Sequence, residues 1–164
     1  EMCIRDRPNT SEKTTEKAKE IFNASGSSIV NVEMEIDGFI LNRLQGALLN
    51  EAMRLYSEGY AKSDEIDATI RDGLGLRWAF MGPFETIDLN APEGIRDYMS
   101  RYGSIYTEMA KNQTKVPDWS DKMGEKLEVE RRKILPQDQL GERAKKRNLL
   151  LKSLRKVKIE NGEV

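Results

Sequence analysis

The hydrophobic pattern of this chain changes its period once, near residue 37. Across residues 28–36 it alternates: Val30, Val32, Met34 and Ile36 point one way, and Asn31, Glu33 and Glu35 the other. A period of two predicts a half-buried strand from Ser28 to Ile36. Upstream, Pro8-Asn9-Thr10-Ser11 supplies an N-cap ahead of Ala18, Ile21 and Phe22, which share one helical face, and Gly26 among serines stops that helix. No strand of comparable quality occurs in residues 37–164. Backbone N–H and C=O groups need partners, so the strand reads as the edge of a sheet whose other strands are missing from the chain.

From Asp37-Gly38 onward the period is helical. Ile40, Leu44, Ala47, Leu48, Leu55 and Tyr56 predict a long helix through Ser57, closed by Gly59. Leu41, Gly46, Leu49 and Met53 lie on its other faces. A helix apolar on more than one side is buried on more than one side, so it is either central in a bundle or packed against a second chain. Ser63 is expected to cap the next helix, with Asp64 and Glu65 in its first turn, Ile66, Ile70 and Leu74 as its stripe, and Gly73 and Gly75 as its end. Gly82-Pro83 opens a short helix carrying Phe84, Ile87 and Leu89. Pro92 starts a fourth with Ile95, Tyr98, Met99, Tyr102 and Met109. After a break at Val116-Pro117-Asp118, Trp119, Met123, Leu127 and Ile134 form a fifth. Pro136 interrupts, and Leu140, Ala144, Leu150, Leu154 and Val157 mark the last. Short connections predict bundle-like packing, and the fold class is mainly α.

Composition removes several kinds of chemistry. The 164 residues contain no histidine, which excludes Ser-His-Asp and Cys-His catalysis and any imidazole base from within this chain. No metal site is expected. The single cysteine, Cys3, cannot form an internal disulfide and gives no sign of an oxidising compartment, so a cytoplasmic location is expected. The longest apolar runs span three or four residues, far short of the about 20 that cross a bilayer. Residues 1–7 lack the apolar stretch of a signal peptide and do not join smoothly to the helix signal that begins at Pro8. They read as a non-native leader or as a loose native terminus.

Net charge is −1 overall, but residues 122–158 hold 13 Lys/Arg against 5 Asp/Glu. These cations interleave with Leu140, Ala144, Leu150 and Leu154, and no aromatic residue lies among them to stack on bases. A solvated face is favoured over nucleic-acid binding. Gly73-Leu74-Gly75 is a lone G-x-G with Trp78 where a dinucleotide loop needs a third glycine, and no strand precedes it. A helix C-cap is the favoured reading there. Asn42 and Arg43 fall in the first turns of the long helix, where Asn is ordinarily a local hydrogen-bonding residue and Arg an ion-pair partner. Arg77, expected on a glycine-rich loop beside Trp78 and Phe80, could clamp a carboxylate bidentately while the rings exclude water.

Three stretches carry a resemblance. Ile36-Asp37-Gly38-Phe39-Ile40-Leu41-Asn42-Arg43-Leu44 resembles the opening of the C-terminal domain of the 3-hydroxyacyl-CoA dehydrogenase superfamily, and Gly82-Pro83-Phe84-Glu85 resembles its second signature. Asp72-Gly73-Leu74-Gly75-Leu76-Arg77-Trp78-Ala79-Phe80-Met81 is similar to the lambda-crystallin branch, whose members act as L-gulonate 3-dehydrogenases. The similarity runs from about Pro8 to the C-terminus.

The resemblance implies a chain in several parts. Residues 8–36 become the last helix and strand of a truncated Rossmann-type NAD domain. Residues 37–158 become the helical substrate and dimerisation domain, and residues 159–164 a tail. The NAD cofactor, its glycine-rich loop and the catalytic histidine then belong to the missing N-terminal part, so no cofactor-binding residue is expected here and the chain alone is expected to be inactive. Asn42 matches the asparagine that reaches the cleft and orients reacting groups. Arg77 departs from the Arg-free segment of typical acyl-CoA members. It becomes the residue for a small hydroxy-acid carboxylate, a contact worth about 2–3 kcal/mol when desolvated. Arg43 is assigned to supporting the helix opening. The resemblance further implies a homodimer with an isologous interface. A CoA-thioester substrate and a non-catalytic, crystallin-like structural role are the alternatives.

Overall fold

The structure is a computed structural model that describes residues 2–5, 10–25, 29–34 and 36–163. It divides into two compact units, residues 1–49 with 159–164 and residues 50–158.

In the first unit, strand β1 (Met2–Arg5) pairs in parallel with β2 (Ile29–Val32), Met2 opposite Ile29 and Arg5 opposite Val32. Helix α1 (Glu12–Ala24) connects them and packs on both strands, as a parallel pair requires. Two expectations change here. The strand has a partner within the chain, one the sequence did not reveal because Met-Cys-Ile-Arg is too short to show an alternation of its own. It is also shorter than the alternation predicts: a bend occurs at Glu33, and Met34 is 80% exposed, so its apolar character does not mark a buried face. Ser28 and Glu35 lie outside the described residues. Ser11 caps α1 as expected, accepting from the Thr14 amide at 3.3 Å. Its other end is closed by Ser25, whose hydroxyl donates to the Phe22 carbonyl at 2.7 Å. The Gly26 stop lies outside the described residues.

Helix α2 (Phe39–Ser57) opens from a left-handed Gly38–Phe39 pair and is closed by Gly59. Its two halves differ. Met53 and Tyr56 are buried, whereas Ile40, Leu41, Leu44 and Leu49 are all exposed. Within the single chain, the buried face of α2 is therefore confined to its second half.

Three helical segments then run without interruption from Ser63 to Trp78: α3 (Ser63–Ala68), a π turn (Thr69–Leu74) and α4 (Gly75–Trp78). Gly73 and Gly75 do not end the helix. Gly75 has helical φ −64° and ψ −31° and donates to the Ile70 carbonyl. The C-cap reading fails because the backbone absorbs one extra residue in a wide turn instead of stopping. Ser63 is likewise not the cap but the first helical residue.

Helix α5 (Pro83–Leu89) begins with Pro83 in the first turn, as expected. Helix α6 (Ile95–Asn112) starts three residues after Pro92, because Gly94 turns through φ +79° and the Asp88 carboxylate accepts from the Ile95 amide at 2.7 Å. A Cβ at Gly94 would lie 2.7 Å from that carboxylate, so this turn needs glycine twice over. Helix α7 (Asp121–Ile134) is capped by Ser120. Trp119 lies just outside it, with its indole N–H donating to Asn50 at 3.1 Å. A 3-10 turn (Gln137–Gln139) comes after the Pro136 break and leads into α8 (Leu140–Glu160), in which nothing is buried.

Candidate functional site

The unit of residues 50–158 contains a hydrogen-bonded clamp and an open cavity. The clamp joins α3 to α7. The Glu130 carboxylate accepts from the Ser63 amide at 2.7 Å and from the Ser63 hydroxyl at 2.6 Å, so α3 is capped by a side chain 67 residues away. These bonds hold the Glu130 carboxyl below its ordinary value. Tyr56 is buried nearby. Burial, reinforced by the Glu130 charge, pushes its phenol up. Lys126 sits 5.0 Å above the Tyr56 ring, where the ring face attracts a cation. Arg54 pairs with Glu51 and donates to the Asn112 carbonyl at 3.2 Å, tying α2 to the end of α6.

The cavity is different in kind. It has a volume of about 550 Å³ and lies among α4, α5 and α6. Leu74, Trp78, Phe84, Ile87 and Met99 make most of its wall apolar, and Arg77 stands at its rim. Arg77 is exposed, on the last turn of a helix and not on the loop expected for it. No carboxylate among the described residues pairs with its guanidinium. Across the cavity the Tyr98 and Tyr106 hydroxyls share a 2.6 Å hydrogen bond, and the Tyr98 ring lies 4.8 Å from that of Tyr102. The bond to Tyr106 pushes the Tyr98 phenol up, and the Arg77 charge pulls it the other way. One cation, several aromatic faces and few free hydrogen-bonding groups suit a small acid bound by its carboxylate.

Sequence reasoning placed Arg77 and Trp78 together, and the cavity includes both. It missed Tyr106 and Asn90 as lining residues. The signal for Tyr106 was present: Tyr98, Tyr102 and Tyr106 recur every four residues and so share one helix face. Asn42 lies in the first turn of α2, in the other unit, exposed and with no hydrogen bond from its amide to a described residue. In the same turn Phe39 holds φ +51°, a conformation that costs a bulky residue energy. Arg43 is exposed too, its Cγ 3.6 Å from where a Cβ on Gly38 would stand, consistent with a place at the helix opening.

Gly73-Leu74-Gly75 does not fit a dinucleotide. Its backbone is helical, and the Gly75 amide is already committed to Ile70, so it cannot cradle a pyrophosphate. Among the described residues no cluster of His, Cys, Asp or Glu could hold a metal ion, and no helix is long and apolar enough to cross a membrane. On α8, Arg143, Lys145, Lys146 and Arg147 are all exposed.

The chain is similar to known proteins. The model of the 3-hydroxyacyl-CoA dehydrogenase C-terminal domain matches residues 38–153, a span that contains Asn42, Arg77 and the whole cavity. Lambda-crystallin of Oryctolagus cuniculus is 40% identical over 153 residues, covering 92% of this chain and 48% of that protein. L-Carnitine dehydrogenase of Pseudomonas putida is 45% identical over 95 residues, covering 57% of this chain and 30% of that protein. The solved structure of 5-formyl-3-hydroxy-2-methylpyridine 4-carboxylic acid 5-dehydrogenase, an NAD+ dependent dismutase, aligns with a TM-score of 0.61 over 73% of this chain and 36% of that one. At 22% identity it speaks for the fold alone. The chain spans about half the length, or less, of the curated relatives it matches. With a family model covering most of its residues and a relative matching along nearly all of them, this chain belongs to the 3-hydroxyacyl-CoA dehydrogenase family, of which it carries the C-terminal domain.

Proposed function

We propose that this chain is the substrate-binding and dimerisation domain of an NAD-dependent dehydrogenase that oxidises the secondary alcohol of a small 3-hydroxy acid, L-gulonate being the first substrate to test. The observation that carries this reading is Arg77, without an acidic partner among the described residues, at the rim of an aromatic-walled cavity. A free carboxylate pairs with such a guanidinium bidentately, whereas a CoA thioester presents none to it. Asn42 orients the reacting groups through its amide, which donates and accepts without competing as a base. NAD and the histidine that takes the hydroxyl proton belong to an N-terminal domain, since this chain has no histidine and its G-x-G is helical. The protein works in the cytoplasm, consistent with its single cysteine. The exposed apolar first half of α2, with Ile40, Leu41, Leu44 and Leu49, supports a homodimer.

The test is kinetic. In the complete enzyme, Arg77→Ala should raise KM for L-gulonate by about 30-fold or more and leave KM for NAD unchanged. Equal effects on both, or none, remove Arg77 from the site. Turnover of 3-hydroxybutyryl-CoA in place of L-gulonate would favour the thioester alternative, and a complete protein that forms no NADH from either would favour the structural one. The chain alone should form no NADH, and NADH from the purified chain would contradict the assignment of the histidine elsewhere. For the dimer, Leu44→Asp should halve the mass measured by sedimentation, and an unchanged mass would place the interface elsewhere.

A second reading has its own observation. Trp78, Tyr98 and Tyr106 line the same cavity, and aromatic faces hold quaternary ammonium groups. A zwitterionic hydroxy acid such as L-carnitine would use Arg77 and the rings together. Higher kcat/KM for L-carnitine than for L-gulonate would select it.

A further inference from the structure

We propose that Gly75 is a positioning residue: lacking a side chain, it admits the π turn of residues 69–74, and that turn swings Arg77 off the packed face of the helix and onto the cavity rim. The proposal rests on the reading that Arg77 takes a carboxylate.

An α-helix advances about 100° per residue, so residues seven apart stand within about 20° of each other. In an unbroken helix Arg77 would fall almost in line with Ile70, on the half-buried stripe of Ile66 and Ile70. A guanidinium there would lose its water and gain no partner. The structure avoids this with one extra residue. The Gly75 amide donates to the Ile70 carbonyl, five residues back where an α-helix would use four. The insertion moves everything after it by about one residue's rotation. Trp78, 40% exposed, takes the position in line with Ile70, and Arg77 turns outward while still lining the cavity with Leu74 and Trp78.

The choice of glycine comes from space. Gly75 has ordinary helical dihedrals, so it is not there to reach a left-handed conformation. A Cβ on Gly75 would stand 2.9 Å from the Ile70 carbonyl oxygen, the acceptor of its own amide. That backbone oxygen cannot retreat without breaking the wide hydrogen bond. Gly73, in the same segment, has nothing within 4 Å of its would-be Cβ and should tolerate alanine.

The experiment is arginine labelling of the 164-residue chain with phenylglyoxal, with site-by-site rates read by peptide mass spectrometry. Gly75→Ala should slow labelling of Arg77 by about threefold or more, as the side chain turns onto the half-buried stripe and is partly shielded from the reagent. Arg96 and Arg143, both exposed, serve as references and should keep their rates. A general loss of structure would instead raise the rates at Arg54 and Arg131, whose side chains are shielded and held in ion pairs. Gly73→Ala should behave as wild type. An unchanged Arg77 rate in a folded Gly75→Ala chain overturns the proposal. If that variant does not fold, the wild type still decides: NMR coupling across the hydrogen bond from the Gly75 amide should reach the Ile70 carbonyl, and coupling to the Arg71 carbonyl would overturn the π turn. Protection of Arg77 by L-gulonate reports separately on the carboxylate reading. If that protection is absent while the Gly75→Ala shift is present, the carboxylate reading falls and the positioning role of Gly75 stands.

Discussion

The clamp at Ser63–Glu130 and the rim at Arg77 both use a charged side chain, and they treat it in opposite ways. Glu130 accepts from an amide and a hydroxyl, beside a buried tyrosine, with a lysine over the ring. Arg77 stands exposed, with no acidic partner among the described residues, above a cavity walled by rings that no side chain fills. A charge that holds a fold together has its partners inside the chain. A charge without such partners, as at Arg77, costs little only because water can reach it, and on the proposed reading it is left free for a ligand.

Stability measurements should separate the two regions. Tyr56→Ala removes one of the few buried apolar side chains and should cost about 3 kcal/mol by urea denaturation, whereas Trp78→Ala, at 40% exposure, should cost under about half of that. Ser63→Ala takes one donor from Glu130 and should cost about 1–2 kcal/mol. Arg77→Ala should fall within about 0.5 kcal/mol of wild type. An Arg77→Ala loss as large as that of Ser63→Ala would erase the contrast and make Arg77 structural.

Acid offers a smaller effect with a definite sign. Ser63 holds the folded-state pKa of Glu130 below its unfolded value. The contact therefore adds stability above the ordinary glutamate value of about 4.3 and loses it as pH falls through the lower folded value. Ser63→Ala should flatten that acid slope, and Arg77→Ala should leave it intact. An identical slope in wild type and Ser63→Ala would mean that the Ser63 hydroxyl does not hold the carboxylate and that the backbone amide alone does.

The same contrast explains what could be read from the sequence. The helical period identified every long helix, and the breaks at Val116–Asp118 and Pro136 fall where proline places them. Arg77 and Trp78 were legible as a pair because they are adjacent. The π turn was not: Gly73 and Gly75 look like a helix end, and only the approach of the Ile70 carbonyl shows that Gly75 continues the helix. Glu130 was illegible for a related reason. It lies 67 residues from Ser63, and no local pattern marks a cap supplied from another helix. β1 was missed because four residues carry too little alternation to register. Non-local contacts and one-residue insertions leave no periodic trace.

The central claim is that Arg77 and the cavity below it take the carboxylate of a small hydroxy acid. Titration of the nitrogen-15-labelled chain with L-gulonate tests it directly, since NMR shifts report even weak binding by an isolated domain. The expected result is saturable shifts at the Arg77 side-chain N–H and the Trp78 indole N–H, both lost in Arg77→Ala, while the Trp119 indole stays fixed on Asn50. Shifts that survive in Arg77→Ala, or saturable shifts confined to residues outside the cavity, would contradict it.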